Sequence, residues 1–196
     1  MSDPNVHSKL ARELMRSSGV LGDKNVEIVL TTLSKNSAKM VLFYTLVRGL
    51  QSAFPHVPSE PEEHESLVNY LTEFLAELNR VRSNEVALLS LERRQHARTQ
   101  SIGDLAITWV AYFRLAATLR NDPDWKDKLA ILGAPYNQEG YAGDLLSRQN
   151  PLWQQRGILA PDPTKGNFKV ISNRNAQQQL AATLAAIVNP DQVASA

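Results

Sequence analysis

The residues best suited to chemistry in this 196-residue chain are four histidines, two carboxylates one helical turn apart and a glycine pair. The histidines are His7, His56, His64 and His96, and no two stand at the spacing that would aim two imidazoles at one metal from a helix face. His64 lies between Glu63 and Glu65, but sequential neighbours point in different directions on a helix, so the trio reads as a solvated acidic helix start. Glu73 and Glu77 are spaced for general acid/base work, which requires a carboxyl of raised pKa, usually through burial. Phe74, Leu75 and Leu78 mark the other face as the buried one. Gly140-Tyr141-Ala142-Gly143-Asp144 has two glycines without the spacing of a phosphate loop. The sequence holds no Walker A loop, no Gly-x-Gly-x-x-Gly, no Gly-x-Ser-x-Gly elbow and no His-Glu-x-x-His pair. It also has no cysteine, which excludes disulfides, thiolate nucleophiles and cysteine-bound zinc or iron–sulfur centres. These residues therefore predict no enzyme, no metal and no cofactor.

Charge is more informative. Its net value is +1, which excludes a uniform polycation, but its placement is uneven. Pro58 to Leu78 holds six Glu and no Lys or Arg. Leu91 to Arg120 carries +3 and Leu145 to Gln179 carries +4. The basic positions are interleaved with Trp153, Asn150, Gln154, Gln155, Asn173 and Asn175, a mixture able to contact phosphates and base edges. The competing expectation is that these charges pair with the Glu-rich segment. Trp125 and Trp153 have apolar neighbours and read as core anchors rather than stacking platforms.

The elements that must position these residues read as helices nearly throughout. Apolar periodicity predicts helices over 6–18, 38–54, 61–81, 86–98 and 101–120, with shorter ones at 125–132, 137–147 and 152–159 and a last one over 175–188; over 25–33 the β-branched content leaves helix against strand open, with length and context favouring helix. Ser101 with Asp104 reads as a capping pair for the helix over 101–120. Pro55, Pro58 and Pro61 mark a turn, and a sub-division near 55–61 would fall there. The expected fold is all-α, a compact domain of six to nine helices over 1–188, with one short lone strand or hairpin near 168–171 and a frayed tail over 189–196. No stretch has the roughly 20 apolar residues of a membrane span, and the N-terminus lacks the apolar region of a secretory signal, so the expected location is the cytoplasm.

The order of several segments resembles a known family. Thr31-Thr32-Leu33-Ser34-Lys35-Asn36-Ser37-Ala38-Lys39-Met40 enters an apolar run, Leu42-Phe43-Tyr44-Thr45-Leu46. Leu91-Glu92-Arg93-Arg94 and the helix Ile102 to Leu119 follow. Asp124-Trp125-Lys126-Asp127-Lys128-Leu129 and Asn150-Pro151-Leu152-Trp153-Gln154-Gln155-Arg156-Gly157-Ile158-Leu159 come next, then a basic loop, Lys165 to Ile171, and a last helix. This succession resembles the C-terminal half of DndB-like, DNA sulfur modification-associated proteins, those with the DGQHR domain. The Asp-Gly-Gln-His-Arg motif itself is absent, and Glu92-Arg93-Arg94-Gln95-His96 does not match it in order.

The resemblance implies a non-catalytic DNA-associated protein, a DNA-binding transcriptional regulator linked to DNA modification or phage defence. Arg93, Arg94, Arg98, Arg156, Lys165, Lys169 and Arg174 would contact phosphates, with Trp153 bracing the site. The alternative is a helical protein–protein interaction or oligomerisation module, a homo-oligomer or partner subunit, without DNA contact. An enzyme assembled from scattered groups such as Glu73, His96 and Asp104 is a third class.

Overall fold

The computed structural model describes residues 4–34, 36–138, 140–163 and 167–190. The first helix, α1 (Pro4–Ser17), buries Leu10, Ala11 and Leu14 along one stripe. His7 on the same stripe is fully buried, and its Nε2 meets the Phe54 carbonyl oxygen at 2.8 Å. The segment expected to be a helix over 25–33 is not one. Val26–Glu27 (β1) pairs in parallel with Val41–Leu42 (β2), and Met40 N–H donates to the Asn25 carbonyl at 2.6 Å. The β-branched run satisfies its backbone across the chain instead of along it. As a result the next helix, α2 (Phe43–Ala53), starts five residues later than the periodicity predicts.

The long acidic helix lies where its pattern places it, as α3 (Pro61–Val81), with Pro61 in its first turn and Glu62 and Glu63 at the positive end of its dipole. Its cap residue is Glu60, whose side chain makes no capping hydrogen bond. Two short pieces follow, α4 (Ser83–Val86) and α5 (Leu91–Gln100), the latter capped by the Ser90 hydroxyl, which accepts from Arg93 N–H. Next comes α6 (Ala106–Leu119), buried at every residue from Ile107 to Phe113. It starts at Ala106, because Ser101 and Asp104 do not cap it: Ser101 bridges to Ser147, and Asp104 is turned inward. The helix is the axis of the fold, and its most extensive packing is against α2 and the last helix, α9 (Arg174–Val188).

Between α6 and α9 the chain is more mixed than the sequence predicts. A short helix, α7 (Trp125–Ala130), runs into a tighter turn over Ile131–Gly133. The predicted helix over 137–147 is an antiparallel hairpin, β3 (Pro135–Gln138) with β4 (Tyr141–Asp144), and Gly140 supplies the positive φ of +77° near its turn. Helix α8 (Leu152–Gln155) is a single turn, followed by β5 (Leu159–Asp162) paired with β6 (Asn167–Val170). The strand expected near 168–171 thus has a partner. Among the described residues the fold is mostly helical, with nine α-helices and three two-stranded sheets, and is not purely all-α. One apolar cluster runs from Leu10 to Val188. Residues 191–196 of the expected tail lie outside the described residues.

Close approach of α2 and α6 depends on Gly49, where a Cβ would stand 2.6 Å from Cδ2 of the buried Phe113. Alanine favours a helix over glycine by about 1 kcal/mol. Overpacking costs about 1–3 kcal/mol and should win here. Gly49→Ala is expected to lower the urea midpoint of unfolding by the equivalent of about 1–2 kcal/mol, measured against wild type at unchanged m-value.

Candidate nucleic-acid interface

The seven basic candidates separate into an inner set, an outer set and Lys165, which lies outside the described residues. Arg94 and Arg98 form the inner set. Arg94 is fully buried, so it is not a phosphate ligand. Its Nη1 donates to Asp104 Oδ1 at 3.1 Å and also to the Glu85 carbonyl, and its Nη2 donates to the Ala87 carbonyl at 2.7 Å. Arg98 sits one turn on, with Nε 3.4 Å from Asp104 Oδ2. Its Nη1 donates to the Ser37 carbonyl at 3.0 Å and its Nη2 to that of Lys39 at 2.5 Å, holding the 34–39 loop against α5. Removal from water dominates this corner: burial pulls Arg94 below its ordinary pKa and pushes Asp104 up to about 7, against the opposing pull of both guanidiniums. A neighbouring buried arginine, Arg82, ties Glu85 and Asp144 together and donates to the Leu132 carbonyl at 2.9 Å.

The outer set is Arg93, Arg156, Lys169 and Arg174, all exposed. Arg93 is on the solvent face of α5 and lines a cavity of about 620 Å³ with His96, Gln100 and Ser147. Lys169 is on the outer face of β6, since Phe168 and Val170 on either side of it pack on the core. Arg174 is the first residue of α9. Arg156 lines a different cavity, of about 740 Å³, whose rim carries the amides of Asn137, Gln138 and Gln179. The structure therefore brings Arg94 and Arg98 together at one carboxylate, and places Arg93 and Arg156 in separate cavities. None of the outer four has a carboxylate partner among the described residues. The Glu-rich helix does not neutralise them: Glu73 pairs with Lys126 and Glu77 with Arg80.

One arginine that charge counting includes but does not single out joins the basic segments. Arg148 sits in a loop, where no periodicity marks it. Its backbone N–H donates to the Gln100 carbonyl at 2.8 Å, its Nε to that of Ser101 and its Nη1 to that of Phe168, both at 3.3 Å. This stitches the end of α5 to β6, next to Lys169. Just downstream, Asn150 Nδ2 and Trp153 Nε1 both donate to the Leu145 carbonyl, at 2.9 and 2.7 Å, and both residues are fully buried. Trp153 is therefore a brace that holds the chain before Arg156 and stacks on nothing outside.

His64 is not flanked by its sequence neighbours in any site; its Nε2 meets Glu13 Oε2 at 2.6 Å, joining α3 to α1. No group of three histidines or carboxylates is placed to hold a metal among the described residues, and no helix there is long and apolar enough to cross a membrane.

The molecule is mostly helical, with internal arginines that fix corners and exposed basic residues that have no ion-pair partner among the described residues. The family model of DndB, DNA-sulfur modification-associated, matches residues 2–189, nearly the whole chain. The chain belongs to this family, whose role is tied to DNA modification by sulfur. No curated protein and no solved structure matches it.

Arg93 and Arg94 are adjacent in sequence and opposite in environment. Removing one partner of a buried ion pair costs about 3–5 kcal/mol, whereas an exposed substitution stays within about 0.5 kcal/mol. Arg94→Ala is thus expected to unfold at a far lower denaturant concentration than wild type, and Arg93→Ala at nearly the same one.

Proposed function

We propose that the chain is a non-catalytic DNA-binding protein, a regulator linked to DNA modification or phage defence. The observation that carries this reading is the set of exposed cations, Arg93, Arg156, Lys169 and Arg174, that have no ion-pair partner among the described residues, on a chain of the DNA-sulfur modification-associated family. Cations without a protein counter-charge are available to displace the counterions of a phosphate backbone, which is the main source of affinity for DNA. Lys169 and Arg174, at the end of β6 and the start of α9, supply phosphate contacts. Arg156 is set among amide side chains, and Arg, Asn and Gln are the residues that pair bidentately with guanine and adenine edges. It is the candidate for reading sequence.

A second reading has its own observation. Val29 is 86% exposed and Tyr44 66%, on the loop and helix that follow the paired strands β1 and β2. Exposed apolar side chains favour a protein–protein contact where they form one patch, and light scattering of the chain with and without duplex DNA separates the two.

A mobility-shift titration of duplex DNA at two salt concentrations tests the first. In the Lys169→Ala/Arg174→Ala double variant, affinity should fall alike on unrelated sequences. The slope of log affinity against log salt should drop by about one for each phosphate that the variant no longer neutralises. Unchanged affinity and slope would remove this surface from the proposal.

A further inference from the structure

A cavity of about 400 Å³ lies where the 31–42 segment, the start of α6 and Arg148 meet. It is separate from the cavity that Arg156 lines and from that of Arg93. Its size falls in the range of about 300–1,000 Å³ typical of small-molecule sites. The walls are mainly apolar, built from Met40, Val41, Leu42 and Leu105, and the hydroxyl-bearing Thr31 and Thr45 share the lining with Arg98, Arg148 and Asp104, the carboxylate that Arg94 and Arg98 face. The two arginines differ. Arg98 is committed, with Asp104 on its Nε and loop carbonyls on both terminal nitrogens. Arg148 is half-buried and has no carboxylate partner among the described residues; its side-chain bonds go to two carbonyls at 3.3 Å, and no described group accepts from its Nη2.

A partly desolvated guanidinium without an anion is costly, and burial indeed pulls Arg148 below its ordinary pKa. The local charge is also unbalanced, since Asp104 faces two arginines before Arg148 is counted. The helix start lines the same cavity. Ala106 opens α6 with no side chain capping it, and its N–H has no acceptor among the described residues.

We infer that this cavity is a binding site for a small organic phosphate, its phosphate held by Arg148 and the start of α6 and its body packed on the apolar wall. The several donors, hydroxyl, amide and guanidinium, suit a group with three terminal oxygens better than a two-oxygen carboxylate. The apolar lining gives a bare inorganic anion nothing to pack against. The phosphate monoester could belong to a free nucleotide or to the 5′ end of a nucleic-acid strand.

Thermal unfolding of the full chain, without duplex DNA, separates these. Adenosine monophosphate should raise the melting temperature of wild type in a saturable way, with adenosine and inorganic phosphate far weaker. Arg148→Gln should weaken that binding by about tenfold or more, the loss expected for one charge-assisted hydrogen bond. Ala106→Asp keeps the helix start favourable for folding, because a carboxylate suits the positive end of the dipole. It sets a negative charge at the cavity and should weaken that binding at least as much. A response to a 5′-phosphorylated oligonucleotide, absent for its 5′-hydroxyl form and for the mononucleotide, would support the same chemistry with a strand end as its source. The inference is overturned if none of these phosphates stabilises the protein. It is equally overturned if inorganic phosphate or adenosine 5′-carboxylate does so as well as the monophosphate, or if both variants respond like wild type.

Discussion

The contact on which the rest depends is the buried pairing of Arg94 with Asp104. A guanidinium removed from water needs acceptors for its donors, and both terminal nitrogens of Arg94 find them in three different places, the Glu85 carbonyl at the end of α4, the Ala87 carbonyl beyond it and the Asp104 carboxylate before α6, while its Nε finds none among the described residues. One side chain therefore fixes the angle between α5 and α6. The same carboxylate reaches Arg98, which fastens the 34–39 loop, and Glu85 reaches Arg82, which fastens the β4 end through Asp144. Breaking the central pair exposes an unmatched charge in the core, so the corner is all-or-none. Burial shifts both partners toward their neutral forms, which means the pair is retained at a cost in desolvation. Its geometry ties the 85–87 turn, α5 and the approach to α6 to one arrangement.

That internal use of arginine governs what remains outside. Of the basic residues in the two positive segments, Arg94 and Arg98 are consumed by structure, while Arg93, Arg156, Lys169 and Arg174 are exposed and have no ion-pair partner among the described residues, although Glu85, Glu92 and Asp144 line the cavity of Arg93. Arg148 has a foot in each group, with carbonyl partners on the protein side and a cavity on the other. The Leu145 carbonyl, taken by both Asn150 and Trp153, gives the downstream chain a rigid start, so Arg156 is presented by a pinned turn rather than a loose one. At a net charge of +1 the overall field is weak, so any attraction to an anionic polymer under the proposed function rests on these local cations.

Long periodic segments were legible in the sequence: α3 begins and ends where its apolar stripe and Pro61 predict, and α9 within one residue of expectation. The charge pattern along α3 and the family resemblance were also legible. Two features were not. Segments 25–33 and 137–147 form paired strands and loops, because their backbone partners lie across a turn or loop and no helical period reports them. The division of the arginines was hidden for a related reason. Arg93 and Arg94 are chemically alike in a string of letters, and only the fold of Asp104 onto α5 tells them apart. Asp104 itself, three residues after Ser101, resembled a helix cap because spacing alone cannot distinguish an outward carboxylate from an inward one.

The division of the arginines is the central claim, and arginine side-chain NMR tests it most directly, by following the Nε–H signals while duplex DNA is added. Arg94 and Arg98 should give signals protected from exchange with water that do not move on titration, and those of Arg156 and Arg174 should shift as their cations meet phosphates. Movement of the Arg94 signal with DNA, or Arg156 and Arg174 signals that stay fixed at saturating DNA, would contradict the account.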